Sequence, residues 1–472
     1  MLTEAAEGPA GSPEALAGAG AEALRLVDGS RVAVIGSGPA GSLFSFFLLE
    51  MARHMDLTVE VDLWDPKASF TIPGPQGCNM CGGIVSETLV QNLAAEGISL
   101  SPGVVQRGID AYVLHTDVGS TRIATPLLEM RIGAVHRGAG PRDVAEARWE
   151  SFDHHLQSRA LERGARLLTT RVEGIERDEA GRPRLTGKDG TARTYDLMVA
   201  AVGVNSTLLK LFEGLGLGYL RPVVTKTLIR EYHLGEEVIT RTLGSAMHVF
   251  LLDLPRLEFA AAIPKGDYVT FAVLGEEIDS ALVDGFLASP VVRACMPPGW
   301  DPAARSCQCM PAIAVRGVEK PFADRFLFIG DCGVTRLYKD GIGAAYRTAK
   351  AAARAVVFGG LSEEALRRHY LPVCRSIAGD NRVGHLAFLV TRVARRFGLL
   401  RRAMLRMAAA EQGRPGPERR MSGVLWDMFS GSAPYTDIFL RMIRPGFLFR
   451  FAWAAAASLW SARGDAGTTG AT

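Results

Sequence analysis

The stretch Arg31-Val-Ala-Val-Ile-Gly-Ser-Gly-Pro-Ala-Gly41 constrains this chain more than any other. Val32 to Ile35 is apolar at every position rather than alternating, which reads as a short strand buried on both faces. Gly36, Gly38 and Gly41 then take the glycine positions of GxGxxG, with Pro39 and Ala40 between the last two. The first glycine permits a tight turn and the second lets backbone approach a diphosphate. The third lets the following helix pack closely on the strand. Ser42 to Met55 suits that helix, with Leu43, Phe44, Phe46, Phe47, Leu48 and Met51 as a broad apolar face. Its N-terminus is a natural seat for diphosphate oxygens. A second apolar run, Leu57 to Trp64, ends at Asp65. That is close to the ~20-residue offset at which an acid accepts hydrogen bonds from a ribose. The order of strand, glycines, helix, strand and acid predicts a bound dinucleotide on an α/β, Rossmann-type domain. The alternative is a glycine turn in an ordinary strand–helix unit.

The rest of the chain bounds that domain. At 472 residues, two to four domains are expected. A net charge of +3 is too small to point to nucleic acid as a partner. The seven cysteines are an odd number behind a start with no secretory segment, so a reducing cytoplasm fits better than a disulfide framework. Residues 1–29, rich in Ala, Gly and Glu, read as a disordered or loosely helical lead-in. A nucleotide-binding domain is expected over 30–359, its core parts near 30–98, 144–210 and 310–359. A substrate-binding sheet is inserted near 104–125 and 219–300, and a helical region fills 360–472.

Residues 70–83 form a loop by composition, with two thiols at Cys78 and Cys81 followed by Gly82 and Gly83. Three readings stand. A structural zinc needs four ligands, and the other close thiols, Cys307 and Cys309, have CxC spacing and no nearby histidine. A redox pair needs the CxxC at a helix start, which Ile84 to Leu93 permits. The third reading, an active-site loop whose thiol and backbone face a cofactor ring, is preferred, and no metal set is assigned. Gly108 to His115 and Ser120 to Thr125 suggest a hairpin, and Arg148 to Arg163 a helix with Phe152, Leu156 and Leu161 inward. His154 and His155 on that helix read as surface residues. Arg166 to Arg177 is strand-like. Another buried strand within Tyr195–Ser206 ends at Gly203, on the carboxyl edge where parallel sheets bind ligands.

From Val223 to Leu274 the runs 223–233, 238–243, 247–252, 257–263 and 268–274 suggest an antiparallel sheet. Laid over a nucleotide domain, a mostly apolar sheet encloses a pocket for an apolar substrate. Phe326 to Ile329 is again strand-like and ends in Gly330-Asp331, whose carboxylate suits a sugar-like hydroxyl. Gly341, Ile342 and Gly343 open an alanine-rich helix whose first N–H groups can stabilise negative charge on a reduced ring.

Taken together these motifs resemble the glutathione-reductase-type FAD fold, in the branch of p-hydroxybenzoate-hydroxylase-like monooxygenases, flavin halogenases and geranylgeranyl reductases. The resemblance spans roughly 31–359. It implies that Gly36, Gly38, Gly41 and Asp65 serve the adenine side, and that Gly330-Asp331 touches the ribityl chain. Gly341-Ile342-Gly343 would lie by the isoalloxazine ring, and Arg148, near Phe152-Asp153, would be a cofactor-contacting arginine. Cys81-Gly82-Gly83 looks like the loop that lies beside the flavin in geranylgeranyl reductases, and Ile263-Pro264-Lys265-Gly266 is similar to the end of their YxWxFPK motif. Phe259, Ala261 and Ile263 stand where that motif has Tyr, Trp and Phe, so its aromatic wall is partly missing. The same positions lack the two tryptophans of the halogenase WxWxIP motif. Ala201-Val202-Gly203 lacks the acid of the hydroxylases' Asp-Gly pair.

Beyond Gly360, seven arginines lie between Asp380 and Glu411 with no acid among them, interleaved with apolar residues. Such a helix can sit on an anionic membrane surface, here the inner face, or form a lid on the flavin domain. No apolar run reaches the ~18 residues needed to span a bilayer. The resemblance implies an FAD-dependent oxidoreductase that reduces double bonds of a hydrophobic, polyprenyl or lipid, substrate by hydride transfer. NAD(P)H docking transiently, or a reduced electron-transfer protein, would supply electrons. A monooxygenase and a non-catalytic lipid-binding flavoprotein are the alternatives.

Overall fold

A computed structural model describes residues 24–67, 81–127, 131–141 and 149–468, with side chains as far as Trp460. The leading strand Ser30–Ile35 lies inside a six-stranded sheet, between Leu197–Ala200 on one side and Val59–Trp64 on the other. Phe326–Phe328 and Arg166–Leu168 extend this parallel sheet, and Phe322–Ala323 adds an antiparallel edge. Val34 pairs with both Val199 and Leu63. Val32 to Ile35 and Leu197–Ala200 are buried on both faces, which is why these runs do not alternate.

Gly41 explains how the first helix, Pro39–His54, packs so near that sheet. A Cβ at position 41 would stand 1.9 Å from the Gly36 carbonyl oxygen and 3.2 Å from Val34 Cγ1. The helix is buried along Leu43, Phe44, Phe47 and Leu48 and lies against the helix Gly341–Arg354. Alanines on that second helix allow the approach, and Phe47 meets Tyr346 edge-on at 5.5 Å.

The large second sheet has the order Cys307–Cys309, Val223–His233, Tyr268–Gly275, Leu257–Lys265, Ala246–Phe250, Ala111–Thr116, Gly119–Ala124. Its pairings are antiparallel except for Ala246–Phe250 with Ala111–Thr116. Alternate residues divide between two cores. Met247, Phe259, Ala261, Ile263 and Ala272 face one way, while Phe250, Ala260, Ala262 and Phe271 face the other. Helices Ser280–Ala288 and Pro290–Arg293 cover the second face. The C-terminal helices share the first core: Trp426 is fully buried against Tyr112, and Phe388 lies against Phe259 and Tyr338.

Several expectations are corrected. Residues 238–243 are not a strand but part of the helix Glu236–Thr242. Two glutamates in its first turn favour that helix, and it needs to bury only Ile239, so the β-branched side chains do not decide the outcome. The run 166–177 is two strands in two different sheets, Arg166–Leu168 and Val172–Arg177. His155 is not a surface residue; it is buried between Glu150 Oε1 and the Ser99 carbonyl. Two arginines of the helical region find acids elsewhere in the chain. Arg392 pairs with Glu258 at 2.5 Å and Arg401 with Asp117 at 2.7 Å, fastening helices to the sheet. Most of the lead-in, Cys78 and Arg148 lie outside the described residues.

Replacing Gly41 with alanine forces the helix off the strand. Chemical denaturation of Gly41→Ala is expected to show a loss on the order of 3 kcal/mol; an unchanged midpoint would contradict this packing.

Candidate functional site

The two glycine turns, far apart in the chain, open on one cavity of about 690 Å³. That is within the ~300–1,000 Å³ range of small-molecule and cofactor sites. Its wall holds Gly36, Gly38, Pro39, Ala40, Asp65 and Gly203 from the first part of the chain, and Asp331, Gly341 and Ile342 from the second. Cys81, Gly82 and Gly83 line it too, as do the apolar Ile229, Met247, Phe259, Ala261, Ile263 and Leu274. The two turns meet, since a Cβ on Gly330 would lie 2.8 Å from Ala40 Cβ. Gly343 lies one turn into its helix and is not on the wall.

At the first turn, Asp65 is held more firmly than a ribose-binding role alone requires. Its Oδ2 accepts from both the backbone N–H and the hydroxyl of Ser37 at 2.8 Å, and its Oδ1 accepts from the Lys67 N–H at 2.9 Å. The acid thus shapes the glycine turn and still borders the cavity. At the second turn, Gly330–Cys332 is a single helical turn after the strand, and Asp331 projects from it. Burial pushes the Asp331 carboxyl above its ordinary value, partly offset by a hydrogen bond from Thr335 and by the charge of Arg137. What remains exposed of Asp331 faces the cavity, not bulk water. Thr335, beside it on the cavity wall, is the hydroxyl partner of that carboxyl.

The loop Cys81-Gly82-Gly83 packs on the strand that carries Ile263 and Lys265. A Cβ on Gly82 would lie 3.3 Å from Ile263 Cδ1. Gly83 has φ +71°, and a Cβ there would lie 2.0 Å from the Val135 carbonyl and 3.0 Å from Lys265 Nζ. Only glycine fits at position 83. The Gly83 N–H points to Cys81 Sγ at 3.4 Å. Behind the thiol, a recess of about 20 Å³ is bordered by His136, Arg137, Glu231 and Lys265. That is room for one water. Lys265 is buried 3.8 Å from Glu231, which also accepts from Thr270 Oγ1 at 2.7 Å. Burial, with Lys265 adding to it, pushes His136 well below its ordinary value, so it is neutral at pH 7. Cys307 and Cys309 border the same recess, but among the described residues they do not gather with Cys81 as a metal-ligand set.

Two residues that matter here carry no sequence signal of their own. Arg137 follows the strand Ile132–Val135 and makes a two-pronged pair with Asp153, at 2.8 and 2.7 Å, beside Gly38 and Cys81. Burial opposes its charge, but Asp153 outweighs that and Cys81 adds in the same direction, so its pKa is raised. Arg137 borders the cavity. Lys339 sits between Tyr338 and Asp340, both with positive φ (57° and 56°), a strained arrangement costing ~1–3 kcal/mol per residue. Its ammonium lies 4.1 Å from the centre of the Phe259 ring, at the cavity wall. Burial lowers its pKa to about 7. Asp340 is pushed up to about 6, also by burial, with Arg336 opposing.

The C-terminal helices hold this strained turn in place. Asn381, on the helix Leu371–Arg396, accepts from the Leu337 N–H at 2.9 Å and donates to the Thr335 carbonyl at 2.8 Å. Arg336 reaches the Gly431 and Ala433 carbonyls and stacks on Tyr435 at 4.5 Å.

No protein-family model and no curated protein sequence matches this chain. Solved structures do. The flavin-dependent brominase Bmp2 is 13% identical over 84% of this chain and 99% of that one, with TM-score 0.54. The p-nitrophenol 4-monooxygenase PnpA of Pseudomonas putida DLL-E4 is 12% identical over 87% and 100%, TM-score 0.55. A flavoprotein/dehydrogenase of Cytophaga hutchinsonii is 14% identical over 88% and 99%, TM-score 0.54. This chain shares their fold. The α/β architecture expected from the motifs, with an antiparallel sheet and a C-terminal helical region, is therefore the observed one.

Arg137→Met would remove the two-pronged partner of the fully buried Asp153 carboxylate. Urea unfolding is expected to show a loss of about 3–5 kcal/mol, partly recovered by adding Asp153→Asn. An unaltered Arg137→Met midpoint would remove the pair from the account of the site.

Proposed function

We propose that this chain is an FAD-dependent oxidoreductase that reduces a double bond in a hydrophobic, polyprenyl- or lipid-like substrate, in the manner of geranylgeranyl reductases. The observation that carries this is the single cavity joining both glycine turns to an apolar chamber, with Cys81-Gly82-Gly83 at the junction. The residues suit FAD. The first-turn backbone lines the cavity where a diphosphate could bind, and the Asp331 carboxyl and Thr335 hydroxyl on the same wall suit a polyhydroxyl chain. FAD, when bound, supplies hydride transfer at its ring.

The protein's own part is orientation, dryness and a proton. Phe259, Ala261, Ile263 and Met247 exclude water from the chamber and can align an apolar chain. Small Ala261 leaves space where an aromatic residue would narrow it. Lys339 Nζ is a proton donor at the chamber wall, suited to completing a saturation beside the site of hydride delivery. NAD(P)H or a reduced electron-transfer protein is the proposed electron source.

A monooxygenase is the second reading, favoured by the fold shared with Bmp2 and PnpA. Reduced, FAD-loaded protein supplied with a polyprenyl substrate under anaerobic conditions separates the two. Saturated product is expected; product only after oxygen is admitted would favour the monooxygenase and end the reductase reading. With Lys339 as donor, anaerobic kcat/KM is expected to fall as pH rises through about 7. Lys339→Met should lower turnover ~10²-fold or more and flatten that profile. The folded-state pKa lies below the ordinary 10.5, so the unfolded chain holds more protons between pH 7 and 10.5 and stability rises across that window. Lys339→Met should remove that rise. A profile unchanged by the substitution would rule Lys339 out as donor.

Peripheral membrane contact is part of the same reading. No described helix is long and apolar enough to cross a membrane. Leu386, Leu389, Val390, Val393 and Phe397 nevertheless form an exposed stripe at helical spacing, and Phe449, Trp453 and Trp460 are 72%, 65% and 69% exposed. Phe449→Ser with Trp453→Ser is expected to reduce co-sedimentation with anionic vesicles at unchanged melting temperature. Undiminished binding would remove this contact.

A further inference from the structure

We propose that His115, His248 and Cys295 form a binding site for a divalent cation of the zinc class, on the face of the large sheet opposite the cavity. The three residues come from the strands Ala111–Thr116 and Ala246–Phe250 and from the segment just after the helix Pro290–Arg293. His248 lies next to Met247 in sequence and so points to the other side of the sheet, with Phe250 and Ala262. The site therefore does not depend on the flavin reading.

The geometry is that of a ligand set lacking only its ion. His115 Nε2 is 3.0 Å from His248 Nδ1, and Cys295 Sγ is 3.5 Å from His115 Nε2. One ligand atom from each residue falls within 4.8 Å of the other two. Zinc bonds of ~2.0–2.1 Å to nitrogen and ~2.3 Å to sulfur place tetrahedral ligands ~3.3 Å (N to N) and ~3.6 Å (N to S) apart. These two spacings differ from the ideal by a few tenths of an ångström, and the third, Cys295 to His248, is within 4.8 Å. Both imidazoles are buried, and Cys295 is half-buried, leaving one side for a water as fourth ligand.

The surroundings orient the rings as ligands. His115 Nδ1 is 2.7 Å from Ser120 Oγ, so a proton on Nδ1 donated to Ser120 leaves the Nε2 lone pair pointing inward. Phe250 stacks on the His115 ring at 4.9 Å and fixes its plane. The Leu243 backbone is a hydrogen-bond partner of His248. Arg122, the nearby positive charge that would oppose a cation, is paired with Asp110 at 3.3 Å. Without an ion, the same nitrogens can satisfy one another through a hydrogen bond, so the protein can fold metal-free and bind afterwards. Binding must displace the Cys295 proton, because burial pushes that thiol up to about 11. A bound ion would tie the segment at Cys295, which follows the helices covering the sheet, to two of its strands.

The test uses the full-length protein, stripped with a chelator and titrated with Co²⁺ as a spectroscopic probe. Tetrahedral thiolate–cobalt bands in the red, beyond flavin absorption, are expected to saturate at one Co²⁺ per chain. One equivalent of Zn²⁺ should displace them. Cys295→Ser should abolish the bands, and Ser120→Ala should weaken binding ~10-fold or more while leaving the ligands in place. Far-UV circular dichroism checks that each variant is folded. Absence of the bands together with no zinc retained after gel filtration would overturn the proposal. So would cobalt binding that Cys295→Ser leaves unchanged.

Discussion

Close contact between two helices underlies the rest of this structure. Pro39–His54 and Gly341–Arg354 lie side by side, and each begins at the same cavity. Their approach depends on missing or minimal side chains: Gly41 against the Gly36 carbonyl, and a run of alanines on the second helix. Bulk at these points would separate the two helix starts, and with them the two ends of the cavity. Dispersion between closely packed backbones thus sets the distance between sites some 300 residues apart in the chain.

Around that contact the protein keeps a high density of buried charge. Arg137 and Asp153, Lys265 and Glu231, and Arg336 and Asp340 are ion pairs at or beside the cavity. Buried pairs of this kind contribute little net stability, since desolvation consumes most of the attraction. Their value here is positional, holding a glycine turn, a thiol loop and a strained lysine-bearing turn in fixed relation. The positive φ angles at Tyr338 and Asp340 persist because Asn381, Arg336 and Tyr435 over-determine that turn. The C-terminal helices are thus part of the site's frame, as the full burial of Trp426 also indicates.

Much of this was legible residue by residue. The leading strand and its glycines, the strand ending near Gly203, and Gly330-Asp331 before Gly341 carry local signals, because backbone geometry at a tight turn admits few residue types. The hairpin at 111–124 showed in its alternation. Other elements were not legible. Val238 to Thr242 has strand-like residues yet lies in a helix, within which only Ile239 is buried. The arginines after Asp380 looked unpaired because Glu258 and Asp117 lie far away in the chain. Lys339 and Arg137 looked like ordinary basic residues; nothing local distinguishes a buried lysine facing a phenylalanine ring from one in solvent.

The sequence by itself therefore determined the kinds of local structure that short-range sterics and periodicity control: which turns need glycine, which runs are buried strands, where helices begin. Tertiary structure alone decided which charges meet, which polar groups lose water, and which thiols and imidazoles converge. Those outcomes depend on distances between residues remote in the chain, and Coulombic and desolvation energies are set by such distances and by burial rather than by order along the chain.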